Sequence, residues 1–189
     1  KATRTMLEEN FVINHIKVDQ MQRSEDGTVK NAVRLYDGLV VESVLIPTAT
    51  RTTACVSSQV GCSLDCNFCA TARLKRMRNL NPDEIYDQVV AIDNESRLYF
   101  DRPLSNIVFM GMGEPFDNID NVLKTLKILT ADYGFAISPK RINVSSIGHL
   151  KGLHRFLSES ECHLAISLHN PFPEERIKAM PIEKTNPIN

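Results

Sequence analysis

Three cysteines stand within eight residues, Cys62-Ser63-Leu64-Asp65-Cys66-Asn67-Phe68-Cys69, in the spacing C-x3-C-x2-C. Thiolates on one tight loop can hold three irons of a cubane cluster, each sulfur on a different iron. The fourth iron is then left without a protein ligand and stays open to a chelating small molecule. A structural zinc site is the competing reading, but zinc normally wants four closed ligands, often in C-x2-C pairs. Cys55 or a distant histidine would have to complete it. Phe68, beside Cys69, is placed to keep water off the metal group.

An α-amino acid such as S-adenosylmethionine (SAM) can chelate that open iron through its amino and carboxylate groups. An electron delivered there cleaves the sulfonium and generates a 5′-deoxyadenosyl radical. A second feature suits such a ligand. Gly111-Met112-Gly113-Glu114-Pro115 brings backbone close to whatever it binds, and Glu114 can accept a hydrogen bond from a bound amino group. The same turn also fits a plain strand-to-helix connection. Ser145 and the pair Ser167 and His169 could bind ribose or carboxylate, although a histidine there also reads as a structural one. Glu42, inside an apolar run, reads as a water-facing edge carboxylate. Cys55 and Cys162 read as inert buried thiols.

Elements must exist to hold these groups. Residues 11–18, 32–36 and 39–46 alternate as strands, with a turn at 25–28 and a stop at Pro47. From about residue 53 the rhythm becomes strand, loop, helix. Asn81-Pro82-Asp83-Glu84 starts a helix running to about 98. Buried strands are expected over 105–110, 141–144 and 162–166, with a helix over about 120–131. Alternating strands and helices imply βαβ units and a parallel sheet or barrel. The glycine- and serine-bearing segments 111–115, 145–148 and 167–170 all follow strands. They therefore lie at carboxyl ends, the rim where parallel α/β folds bind ligands. The expected division is a β-rich extension over 1–50 and a core over 51–189.

Composition sets outer bounds. The 189 residues are 42% hydrophobic and 24% charged, which is ordinary for a globular domain. No apolar run approaches the ~20 residues of a membrane span. Five cysteines, an odd number clustered on one loop, suit a reducing cytoplasm and metal ligation better than disulfides. The net charge of −1 excludes general attraction to nucleic acid, so any such affinity must come from patches. Arg73, Lys75, Arg76 and Arg78 form one, which otherwise reads as a solvated face. The chain begins at Lys1 and ends after a proline-containing stretch, and it reads as part of something longer.

Taken together, the segment 55–62, the cysteine loop, Arg78-Asn79-Leu80, Gly111–Pro115 and Ser167-Leu168-His169 resemble the radical SAM adenine C2 methyltransferases of 23S rRNA and tRNA. The resemblance runs from about Glu42 onward. It implies a truncated radical SAM partial (β/α) barrel, a [4Fe–4S] cluster on Cys62, Cys66 and Cys69, and SAM contacts from Gly113, Glu114, Ser145, Ser167, Leu168 and His169. Two SAM molecules are implied: one methylates a C-terminal cysteine, and the other supplies the radical that activates that methyl group toward adenine. Glu42 matches the family's proton-handling glutamate. Cys55 matches the cysteine that resolves a covalent protein–RNA intermediate.

The implied partners are 23S rRNA, tRNA and an external electron donor such as flavodoxin, for a monomer without membrane attachment. The related carbon-8 rRNA methyltransferases, which confer antibiotic resistance, are a neighbouring possibility, and a non-catalytic cluster- or zinc-binding module a distant one. The methyl-carrying cysteine and a late SAM-contacting asparagine are expected beyond Asn189, and an N-terminal RNA-binding domain before Lys1. Residues 74–78 depart from the Gln-Gly-Phe-containing loop of the family.

Overall fold

The structure, a computed structural model, describes residues 2–188. In chain order its elements are α1 (Ala2–Asn10), β1 (Lys17–Arg23), β2 (Val29–Arg34), β3 (Val40–Pro47), β4 (Thr52–Cys55), β5 (Gln59–Val60), β6 (Arg78–Asn79), α2 (Pro82–Phe100), β7 (Asn106–Phe109), α3 (Ile119–Thr130), β8 (Ile142–Ser146), α4 (Leu150–Glu159), β9 (His163–Ile166) and α5 (Pro173–Ala179). Seven strands form one sheet in the order β1-β2-β3-β4-β7-β8-β9. The first four are antiparallel neighbours, and β4, β7, β8 and β9 run parallel. The sheet crosses residue 50 without a break, because β3 pairs with β4 from Val44↔Cys55 to Pro47↔Thr52.

The helices cover one face of this sheet. Asn81 N–H donates to the Glu84 carboxylate at 2.8 Å, Pro82 opens the first turn, and Asp101 closes α2 in the left-handed region. The spacing of Ile85, Val89 and Ile92 then aligns one apolar stripe on the sheet. Val122, Leu126 and Leu129 of α3 and Phe156 of α4 continue the layer. Beneath them lie Val41, Leu45, Ala54, Ile107, Phe109, Ile142 and Val144, in one core. Each such large aliphatic side chain contributes about 1.5–3 kcal/mol on burial.

The other face is open. Directly paired residues share a face, as do residues two apart along a strand. Glu42, Val44, Cys55, Val108, Asn143 and Ser145 therefore line the inner surface of a partial barrel. None of them is fully buried. Among the described residues no helix is long and apolar enough to cross a membrane.

Two expectations need correcting. The first strand begins at Lys17 rather than 11, because its partner β2 ends at Arg34 before the Asp37-Gly38 turn. Phe11, Val12 and Ile13, with no strand to pair, lie exposed. Residues 2–10 form a helix, although the region reads as β structure with irregular links.

Candidate metal and cofactor site

All four parallel strands deliver their carboxyl ends to one rim. Segments 56–62, 110–115, 147–148 and 167–170 follow β4, β7, β8 and β9 respectively, so the cysteine loop and the three polar segments meet there. Glu42 joins them from a different direction. The antiparallel pairing puts the beginning of β3 beside the end of β4, so Glu42 sits past Val44↔Cys55. Its carbonyl accepts the Ser57 hydroxyl at 2.6 Å, and its N–H approaches the Met112 sulfur at 3.4 Å. Its carboxylate is exposed and pairs with Lys30 Nζ at 2.6 Å.

The cysteine loop is held at its base by a two-strand ribbon. β5 and β6 pair antiparallel, Met77 N–H donates to Val60 O at 2.8 Å, and Cys62 N–H donates to Leu74 O at 3.1 Å. Gly61 has φ +75°, and a Cβ on it would lie 2.2 Å from Lys75 O. Only glycine fits that crossing. Gly113, at φ +95°, is equally constrained, since its Cβ would stand 2.4 Å from the Gln59 side chain.

Cys62, Cys66 and Cys69 are free thiols on this loop. Burial pushes the Cys62 thiol up and the Cys66 thiol up to about 11, and the neighbouring cysteines and Glu114 add to both. The protein by itself does not stabilise thiolates at Cys62 and Cys66. A cationic iron cluster supplies the missing positive charge, so the donor set fits such a group. Among the described residues no three His, Cys, Asp or Glu side chains form a group that could hold a single metal ion, the arrangement zinc would need. A cubane takes each thiolate on a separate iron.

The rim residues come together in part. The Ser145 and Ser167 hydroxyls lie 3.3 Å apart. His169, at φ +56°, stacks on Phe68 with ring centroids 3.8 Å apart, tying the β9 segment to the cysteine loop. Leu168 is exposed beside it. Cys55 lies half-buried on the inner face, where burial raises its thiol against the opposing effect of the Met110 N–H.

Glu114 takes a more structural position than its motif suggests. It is 3% exposed, and its two oxygens accept Phe116 N–H at 3.0 Å and Ile147 N–H at 3.2 Å. The Ser146 hydroxyl also donates to this carboxylate. Burial raises its pKa to about 7, although Ser146 and the two amides oppose this. Glu114 thus binds its proton more tightly folded than unfolded. Its contribution to stability is fullest below about pH 4.5 and is lost as pH rises through about 7. In the metal-free chain, denaturant unfolding should show stability falling across that window, and Glu114→Gln should flatten the fall. An identical pH slope in wild type and variant would remove Glu114 as its source.

Two groups were not legible as site residues. Arg78, part of the basic run, is taken up by Glu84, with two bonds of 2.7 Å, and by Asp37 at 2.6 Å. Arg176 is fully buried under the rim. Its Nε donates to Leu168 O at 3.1 Å, one terminal nitrogen donates to Ile147 O at 3.0 Å, and the other pairs with the equally buried Glu183. The same region backs the cysteine loop: Asn67 N–H donates to Ala179 O at 2.9 Å, and Cys66, Ile147 and Met180 form a small apolar cluster.

A family model described as "Radical SAM superfamily" matches residues 56–187. A "Probable dual-specificity RNA methyltransferase RlmN" of Flavobacterium johnsoniae is 67% identical over all 189 residues, which cover 54% of that protein. One of the same name from Parabacteroides distasonis is 52% identical over 187 residues, 98% of this chain and 52% of the relative. The chain thus spans about half the length of the curated relatives it matches. A solved radical SAM methyltransferase from Sphaerobacter thermophilus superposes with TM-score 0.93 at 37% identity, covering all of this chain and 55% of that one.

Proposed function

The chain belongs to the radical SAM superfamily, and from that premise we propose that it forms the SAM-activating core of an enzyme methylating carbon 2 of adenosine in 23S rRNA and tRNA. The family works with SAM and an iron–sulfur cluster. Cys62, Cys66 and Cys69 would hold that cluster in [4Fe–4S] form. When bound, it supplies the electron that cleaves SAM, drawn from an external donor such as flavodoxin. Gly113, Glu114, Ser145, Ser167, Leu168 and His169 would surround SAM at the rim. Phe68 and His169, both exposed at the rim, stack against each other beside that site.

The observation that carries the reading past generic radical chemistry is the shared inner face of Glu42 and Cys55 beside the cysteine loop. A radical enzyme in general needs neither residue. Here Glu42 offers a carboxylate for moving a proton, and Cys55 offers a thiol two strand positions away on the same face. The working protein is read as a monomer.

The test is product analysis. Full-length protein containing this sequence, reconstituted without oxygen and given SAM, reductant and RNA, should yield 2-methyladenosine by mass spectrometry. Product methylated at carbon 8, or SAM cleavage with unmodified RNA, would overturn the assignment. Cys55 provides a sharper check. In that full-length protein, Cys55→Ala should retain the cluster and accumulate RNA bound covalently to the protein. The 189-residue chain alone should form no such adduct, because the family resemblance implies a methyl-carrying cysteine that none of its own residues matches. Multiple turnover by the variant, with no crosslink on a denaturing gel, would return Cys55 to the role of a buried thiol.

A further inference from the structure

At the amino ends of the parallel strands, opposite the cysteine loop, the structure opens a basin edged by cations. It has two adjoining lobes of about 320 and 460 Å³ that share Arg51, Asn106, Lys140 and Arg141. Arg51 precedes β4, Asn106 opens β7, and Lys140 and Arg141 form the turn before β8. No Asp or Glu lines either lobe. Among the described residues none of the three cations has an ion-pair partner. All three are exposed.

The basin is built rather than incidental to loose surface chain. Arg102 grips the turn that carries Arg51, donating to Ala49 O at 3.0 Å, Thr48 O at 2.6 Å and Arg51 O at 3.3 Å. Arg141 N–H donates to Ser138 O at 2.8 Å, which fixes the second cationic turn. Asn143, on the inner face of the sheet, lines the floor of the first lobe. Like charges collected around a concavity without counterions raise its potential and draw anions in. The whole chain, at −1, has no general attraction for anions, so such binding depends on local cationic groups of this kind.

We propose that this basin binds phosphate groups of an RNA backbone, as a docking site separate from the reactive rim. The proposal rests on the RNA-substrate reading above and deepens it. Adjoining lobes with cations along their shared edge suit successive phosphodiesters better than one enclosed anion. The site would orient the substrate without reading its bases.

The test uses the 189-residue chain and a fluorescein-labelled RNA stem-loop, with anisotropy measured over a series of KCl concentrations. Arg51→Ala/Lys140→Ala/Arg141→Ala should weaken binding by about tenfold or more at low salt. It should also reduce the slope of log affinity against log salt by about two units, near 0.7–0.9 per lost phosphate contact. Because the three side chains are exposed and unpaired, thermal unfolding should be unchanged, and Lys140→Glu alone should reproduce the direction. Unchanged affinity and slope in the triple variant would overturn the basin and leave the RNA reading standing. Failure of the wild-type chain to bind RNA would overturn the basin alone, because the RNA-substrate reading is decided by product analysis of the full-length protein. Displacement of the RNA by equimolar inorganic pyrophosphate would show a small-anion site and overturn the backbone assignment.

Discussion

Alanine at any one of Cys62, Cys66 or Cys69 should abolish cluster assembly and reductive SAM cleavage together. The three thiols share one loop whose path is set by the β5–β6 ribbon and the Gly61 crossing, so no fourth cysteine can move in to replace a lost ligand. Cys55 is fixed by β-ladder pairing to Val44 and Val108, and Cys162 stands where β9 begins, at the strand ends opposite the rim. Burial and mutual repulsion already disfavour thiolates at Cys62 and Cys66, so a site with two sulfurs has little to recommend it to iron. The readouts are iron per chain after anaerobic reconstitution, the thiolate-to-iron absorption band and SAM consumption. Cys162→Ala should change none of them. Wild-type iron content in any of the three loop variants would sink the assignment.

Much of this arrangement is legible in the sequence because it follows periodicity. The strand at Asn106–Phe109 and the helices at Pro82–Phe100 and Ile119–Thr130 are bounded by apolar pattern, caps and prolines, all local properties. The gathering of Gly113, Glu114, Ser145, Ser167 and His169 at one rim needs only the order of strand then polar segment. Glu42 is different. Its place at the rim depends on β3 running antiparallel to β4 in a particular register, and no residue near Glu42 announces that. β5 and β6 are two residues each, too short for any period to show. Glu114 illustrates a further limit. A carboxylate in a glycine turn suggests ligand contact, whereas its burial against the Phe116 and Ile147 amides appears only once β8 is in place.

Arg176 was the least legible of the site residues, and it carries the largest expected effect on stability. In the sequence it stands among Glu174, Glu175 and Lys178, and no motif or spacing singles it out. The fold instead buries it completely against Glu183 and against two carbonyls that belong to different rim segments, Leu168 after β9 and Ile147 after β8. Removing one partner of a buried ion pair leaves the other charge uncompensated, a loss of about 3–5 kcal/mol. Arg176→Ala should therefore lower stability by that order in urea denaturation of the 189-residue chain. The pair itself is a different matter, because both charges lose their hydration on folding. Arg176→Met/Glu183→Leu removes both and should recover most of the loss. What the double variant cannot restore is the donor between Leu168 and Ile147. If that donor sets the spacing of the two rim segments, the double variant should remain folded yet bind SAM more weakly than wild type at equal cluster content. Wild-type SAM affinity in a folded double variant would confine Arg176 to holding the fold. Wild-type stability in Arg176→Ala would show that Glu183 finds another partner or takes up a proton.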